Sequence, residues 1–134
     1  MKDTKYQCEL TELQLQIIQD ALDFLFRMRM GQIQEIHQIR PKGPRIPDEL
    51  MGQLKVELFP ELGTLGSYHS IYSTDLPDEC RTAYDLVQVI RHRLSWDNIQ
   101  EKDKGHTHMF VHFDEPDQSN PLVPLAKLEK LPDE

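Results

Sequence analysis

The stretch TELQLQIIQDALDFLFRMRMGQIQEI, Thr11 to Ile36, decides how the rest of this chain is read. Thr11 followed three residues later by Gln14 has the form of a capping box, in which two side chains satisfy the first free amides of a helix. Apolar residues recur at helical spacing from Leu13 to Ile36, and the residue before Pro41 avoids helical angles, so a long first helix is expected to end before that proline. At about 100° per residue, Glu12, Gln16, Gln19, Asp20, Asp23, Arg27 and Gln34 fall in one polar arc, which is expected to face solvent. The remaining surface carries Leu13, Ile17, Ile18, Leu22, Phe24, Leu25 and Met28. It is wider than one side of a small core requires and is expected to meet a second layer or a second subunit. Arg29 and Gln32 project into this apolar region. A buried guanidinium needs a counter-charge, so Arg29 is paired with a carboxylate, reaches out to water, or is aimed at an anionic ligand.

To either side of that helix the pattern changes. KYQCEL, Lys5 to Leu10, alternates at period two and predicts a short strand, and HTHMFVHF, His106 to Phe113, predicts a second strand that pairs antiparallel with it. RPKGPRIP, Arg40 to Pro47, is too rich in proline for regular structure, DELMGQLKVELF predicts a helix from Asp48 to about Phe59, and Pro60 to Leu76 is loop. Pro77, Asp78 and Glu79 suit the first turn of a third helix. The expected fold is therefore α+β and mainly helical, with three helices packed on a small antiparallel sheet. Residues 1–115 form one compact domain, and the Pro- and charge-rich segment 116–134 wraps the surface or a neighbour.

A chain of 134 residues with 23 acidic and 15 basic side chains and a net charge of −8 is one domain that repels a phosphate backbone, which disfavours nucleic acid as partner. Cys8 and Cys80 make neither a metal pair nor a disulfide framework and suit small buried positions in a reducing compartment. With no apolar run for a signal peptide or a membrane span, the expected location is the cytoplasm.

The third helix ends in LVQVIRHRLSWDN, Leu86 to Asn98. Cys80, Ala83, Leu86, Val87, Ile90 and Leu94 form its core stripe, flanked by Arg91 and Arg93, with Arg93 and Trp96 on one surface. Cations near a helix C-terminus either balance its dipole or hold phosphate while an indole stacks on a base. His106, His108 and His112 share one strand face. His106 and His108 lie about 7 Å apart, close enough for one metal ion or for an acid–base pair in phosphodiester cleavage, which ordinarily needs a second copy of the motif. There is no glycine-rich phosphate loop, nucleophile elbow, HExxH motif or zinc-finger spacing.

MGQIQEI on the first helix and RHRLSWD on the third resemble a pattern in small proteins of tailed bacteriophages, the match falling on Met30, Gly31, Gln32, Glu35, Arg91, His92, Arg93, Trp96 and Asp97. Some compact phage proteins of this kind are similar to sponges that sequester nucleotide-derived signals of antiviral defence, as homo-oligomers with pockets at subunit borders. The resemblance implies a binder without turnover or cofactor, in the host cytoplasm, for an ADP-ribose-like molecule or a cyclic nucleotide. In that reading Arg29, Arg91 and Arg93 meet phosphate, Trp96 or Tyr68 stacks on the base, and Gln32 and Asp97 read polar edges. The alternatives are a phosphodiesterase or metal hydrolase using His106 and His108, and an adaptor or inhibitor that binds a host protein through its acidic surface and tail.

Overall fold

A computed structural model describes residues 4–98 and 115–133. Three α-helices order the chain: α1, Glu12–Arg29; α2, Asp48–Leu58; and α3, Asp78–Asn98. Short 3₁₀ turns lie at Ile33–Ile39 and Pro60–Leu62.

The capping box forms as the sequence predicts, with Gln14 N donating to Thr11 Oγ1 at 3.2 Å and Thr11 N donating to Gln14 Oε1 at 2.9 Å. The helix stops earlier than expected, at Arg29. Gly31 takes φ +92°, its amide donates to Met28 O, and Gln32 N donates to Arg27 O, each at 3.0 Å, which is the Schellman closure of a helix. A side chain at Gly31 would also strike Leu62, since an added Cβ would lie 2.3 Å from Leu62 Cδ1. Ile33 to Ile36 therefore continue in a 3₁₀ turn instead of extending α1.

The expected antiparallel sheet is absent among the described residues, and the architecture is helical. Lys5 to Leu10 is extended but unpaired and exposed, with Tyr6 90% exposed. Period-two alternation gives a segment two different faces, but a strand also needs an edge to bond to, and among the described residues none adjoins this one. The predicted strand His106–Phe113, with its three histidines, lies outside the described residues.

The core is the crossing of α1 and α3. Phe26 and Met30 pack against Leu76, Cys80, Ala83 and Val87, with Leu22, Ile71 and Tyr84 at the edge. The Phe26 and Tyr84 rings meet edge to face, centroids 5.3 Å apart. The expected stripe on α3 is thus buried at Cys80, Ala83, Val87 and Ile90. Polar ties mark the two helices as antiparallel along their whole length. Arg29 at the end of α1 pairs with Glu79 at the start of α3, Asp23 meets Arg91 at mid-length, and Asn98 Nδ2 donates to Glu12 Oε1 at 2.9 Å at the far end.

That pairing turns α1 about its axis relative to the expected orientation. Asp23, placed by periodicity on the solvated arc, is 9% exposed and faces α3, because two guanidinium groups there compensate its charge. Leu13, Ile17, Ala21 and Leu25, at i, i+4, i+8 and i+12, face away from the core and stay exposed, Leu13 at 69% and Ile17 at 59%.

α2 packs on the two 3₁₀ turns, with Met51 and Lys55 buried. The Lys55 ammonium is buried and donates to Leu65 O at 2.8 Å and to Ser67 O, and burial pushes its pKa below the ordinary lysine value. Arg81 gathers the loop ahead of α3, donating to Ile71 O, Ser73 O and Leu76 O and to Asp78 Oδ1.

Candidate functional site

The residues predicted to meet phosphate do not share one cavity. Arg29 is engaged by Glu79, Arg91 Nη2 by Asp23 Oδ1 at 2.8 Å, and Arg93 Nη2 by Asp97 Oδ1 at 2.6 Å. Asp23 also takes Arg27 Nε at 2.8 Å, and Arg27 Nη1 donates to Gln32 Oε1 at 3.1 Å, so Gln32 belongs to this structural network. Glu79 and Arg93 are separated by about 21 Å along α3, which sets Arg29 and Arg93 at opposite ends of the helix pair. Tyr68 is 56% exposed on the loop before α3. Trp96 stands edge-on to His92, ring centroids 6.4 Å apart, at the other end. The predicted set is thus divided: Arg93, Trp96 and Asp97 cluster at the end of α3, and Arg29, Gln32, Tyr68 and Arg91 do not join them.

A hollow of about 620 Å³ lies where Arg93 and Asp97 are. Its walls are the extended arm Tyr6–Leu10, the first turns of α1, the last turns of α3 and the C-terminal strap Lys127–Leu131. The volume falls within the range of ligand clefts, about 300 to 1,000 Å³. Its chemistry is mixed: Tyr6, Leu10, Leu15, Leu94, Leu128 and Leu131 supply apolar wall, and Glu9, Glu12, Asp97 and Glu129 outnumber Arg93, Lys127 and Lys130. A phosphate entering here would approach carboxylates, and its nearest guanidinium is already neutralised. A second hollow of about 240 Å³ lies on the other side of Arg93, next to His92, Glu115 and Leu125. Between them, Arg93 Nε and His92 Nδ1 are buried without a hydrogen-bond partner among the described residues.

The strap is held by a constellation that no periodicity announces. Asp85, on the inner side of α3 and 5% exposed, accepts from Ser119 N and Ser119 Oγ at 2.7 Å each and from Asn120 N at 3.0 Å. Ser119 Oγ is also 3.2 Å from Arg81 O, and Asn120 Nδ2 donates to Thr82 Oγ1 at 3.1 Å. Ser119 and Asn120 are buried by this, so residues 115–133 leave the clamp along a defined path to the groove. At helical spacing Asp85 falls outside the apolar stripe of Cys80, Ala83, Val87 and Ile90 and shares its side of α3 with Asp78 and Thr82, so the sequence offered no signal that it is buried.

The two cysteines differ. Cys80 is fully buried with its thiol toward Phe26 O, and burial raises its pKa, whereas Cys8, expected to be buried, is exposed on the unpaired arm; both are free thiols. No group of His, Cys, Asp and Glu side chains suited to a metal ion occurs among the described residues, and His106, His108 and His112 lie outside them. No helix among the described residues is long and apolar enough to cross a membrane. The chain matches no protein-family model, no curated protein and no solved structure.

Proposed function

We propose that the protein is a non-enzymatic adaptor or inhibitor that docks another protein through the outward apolar strip of α1. The observation that carries this reading is the rotation of α1: its acid is turned inward, and Leu13, Ile17, Ala21 and Leu25 are left on the surface. Scattered apolar side chains on a surface are ordinary. A run of four at helical spacing on one outward face is the pattern of a helix-docking face. The exposed acid Asp20 borders the strip, and the net charge is −8, so the partner presents apolar side chains within a basic border. In the phage setting suggested by MGQIQEI and RHRLSWD, that partner is a host protein.

The test is capture from bacterial lysate followed by reconstitution with the purified partner. Leu13 and Ile17 point away from the core, so L13D/I17D keeps the wild-type helical spectrum and weakens the reconstituted complex at least about thirtyfold, as removal of a central apolar anchor does. Unchanged affinity in a folded L13D/I17D protein refutes the assignment. The unpartnered Nε of Arg93 favours a second reading, a nucleotide-like small molecule at the end of α3. A rise in melting temperature with cyclic nucleotides or ADP-ribose, lost in Arg93→Ala, would transfer the function to that reading.

A further inference from the structure

α2 presents a second unpartnered face, independent of α1. Met51 and Lys55, each 1% exposed, seat it on the molecule, while Leu50, Leu54 and Leu58, at i, i+4 and i+8, remain 55%, 36% and 55% exposed. At 100° per residue the three leucines span an arc of about 80° next to the buried side. Glu57 lies about 60° from the middle of that seam, and the first-turn acids Asp48 and Glu49 lie more than about 100° from it.

The helix is also electrically polar beyond its own dipole. Just before it, Arg40 O accepts from Gly43 N at 2.9 Å in a tight turn with Pro41 and Lys42 at the tip. His37 holds both ends of this loop, its carbonyl taking Arg40 N at 3.2 Å and its Nε2 taking Ile46 N at 3.1 Å. Its Nδ1 lies 2.9 Å from Gln34 O and donates to it, which leaves Nε2 free to accept. The loop thus displays Arg40, Lys42 and Arg45, all exposed and none in an ion pair among the described residues. Free cations stand at the start of α2, and Glu57 and Glu61 stand at its end.

We infer that α2 is a self-association face, on which a second copy of this chain lays its own α2 antiparallel across a two-fold axis. Leu54 meets the partner's Leu54, Leu50 meets the partner's Leu58, and the basic loop of each copy lies opposite Glu57 of the other. The antiparallel arrangement matches apolar seam and charge at both ends together, whereas a parallel pairing would set the cationic loops against each other. Three leucines per copy bury less than the roughly 800 Å² per partner of a standard interface, so association falls in the micromolar to millimolar range.

Sedimentation equilibrium of the full chain in low salt, from about 1 µM to 1 mM, tests this. The apparent mass should climb toward twice that of the monomer, and Arg45→Glu or Glu57→Lys alone should weaken association about tenfold, an effect of single-pair size. The R45E/E57K double variant should recover, because the contact crosses between copies. In a Cys8→Ser background, Leu54→Cys should oxidise readily to a covalent dimer, and Val56→Cys, exposed on the opposite side of α2, should not. A single mass up to 1 mM, no recovery in the double variant, or equal cross-linking at positions 54 and 56 would each overturn the inference.

Discussion

Replacing Asp85 with alanine should release the C-terminal strap while leaving the helical core folded. The carboxylate takes two backbone amides and one hydroxyl, all buried. If the strap stayed docked after the change, Ser119 N and Asn120 N would be left buried without acceptors, at about 1 to 3 kcal/mol each. That is more than a short irregular segment with little apolar contact can sustain. The segment is therefore expected to peel off and hydrate its amides, which caps the global loss at about 2 to 3 kcal/mol, or roughly 10 °C in melting temperature for a chain of this size. Asp85→Asn should cost less, about 1 to 2 kcal/mol, because its one oxygen still accepts from Ser119 or from Asn120 while its amide meets the other amide donor to donor. Amide hydrogen exchange read residue by residue is the direct assay. In Asp85→Ala, Ser119 and Asn120 should exchange about 30 to 150 times faster than in the wild type, close to the rate of an unprotected chain, while amides of Phe26 and Val87 keep the protection of a folded core. Unaltered protection at Ser119 and Asn120 would refute the clamp, and loss of all protection throughout α1 and α3 would refute its local character.

Two further changes probe other joints. Gly31→Ala places a side chain at φ +92° and against Leu62, so a loss of about 2 to 4 kcal/mol is expected by chemical denaturation, without loss of helix content. The His69 ring, 2.9 Å from Glu61 Oε1, holds that carboxyl below its ordinary value of 4.5 by hydrogen bonding. A depressed carboxyl contributes stability that is present above 4.5 and is lost as pH falls through the lower folded value, so Glu61→Gln should flatten the denaturation midpoint in that acid window and leave the slope above it unchanged.

Local rules read from the sequence hold wherever both partners lie within a few residues of each other. Thr11 and Gln14 cap α1 as their spacing requires, the acids after Pro77 open α3, and Asp48 begins α2. They fail where the deciding partner is distant in the chain. The polar arc of α1 assigned Asp23 to solvent because a helical wheel contains no information about Arg91, 68 residues away. Asp85 and the Ser119–Asn120 pair are linked through a segment with no period, so neither half announces the other. The KYQCEL strand was inferred from alternation, which specifies two faces and says nothing of a neighbouring edge. At the candidate site, Arg93 was assigned to phosphate and Asp97 to a polar edge, although their i, i+4 spacing lets them neutralise each other, and the groove beside them is completed by a strap whose sequence carries no surface pattern.

The antiparallel crossing of α1 and α3 also bears on how the chain acquires its shape during synthesis. Its ties join residues 54, 68 and 86 apart in the chain, so closing them demands a long loop and cannot begin while the later segment is still inside the ribosome. Until then the nascent α1, apolar on both sides, has nothing to cover it, which makes translation speed across residues 30–77 and access to holding chaperones the factors that set the yield of native protein.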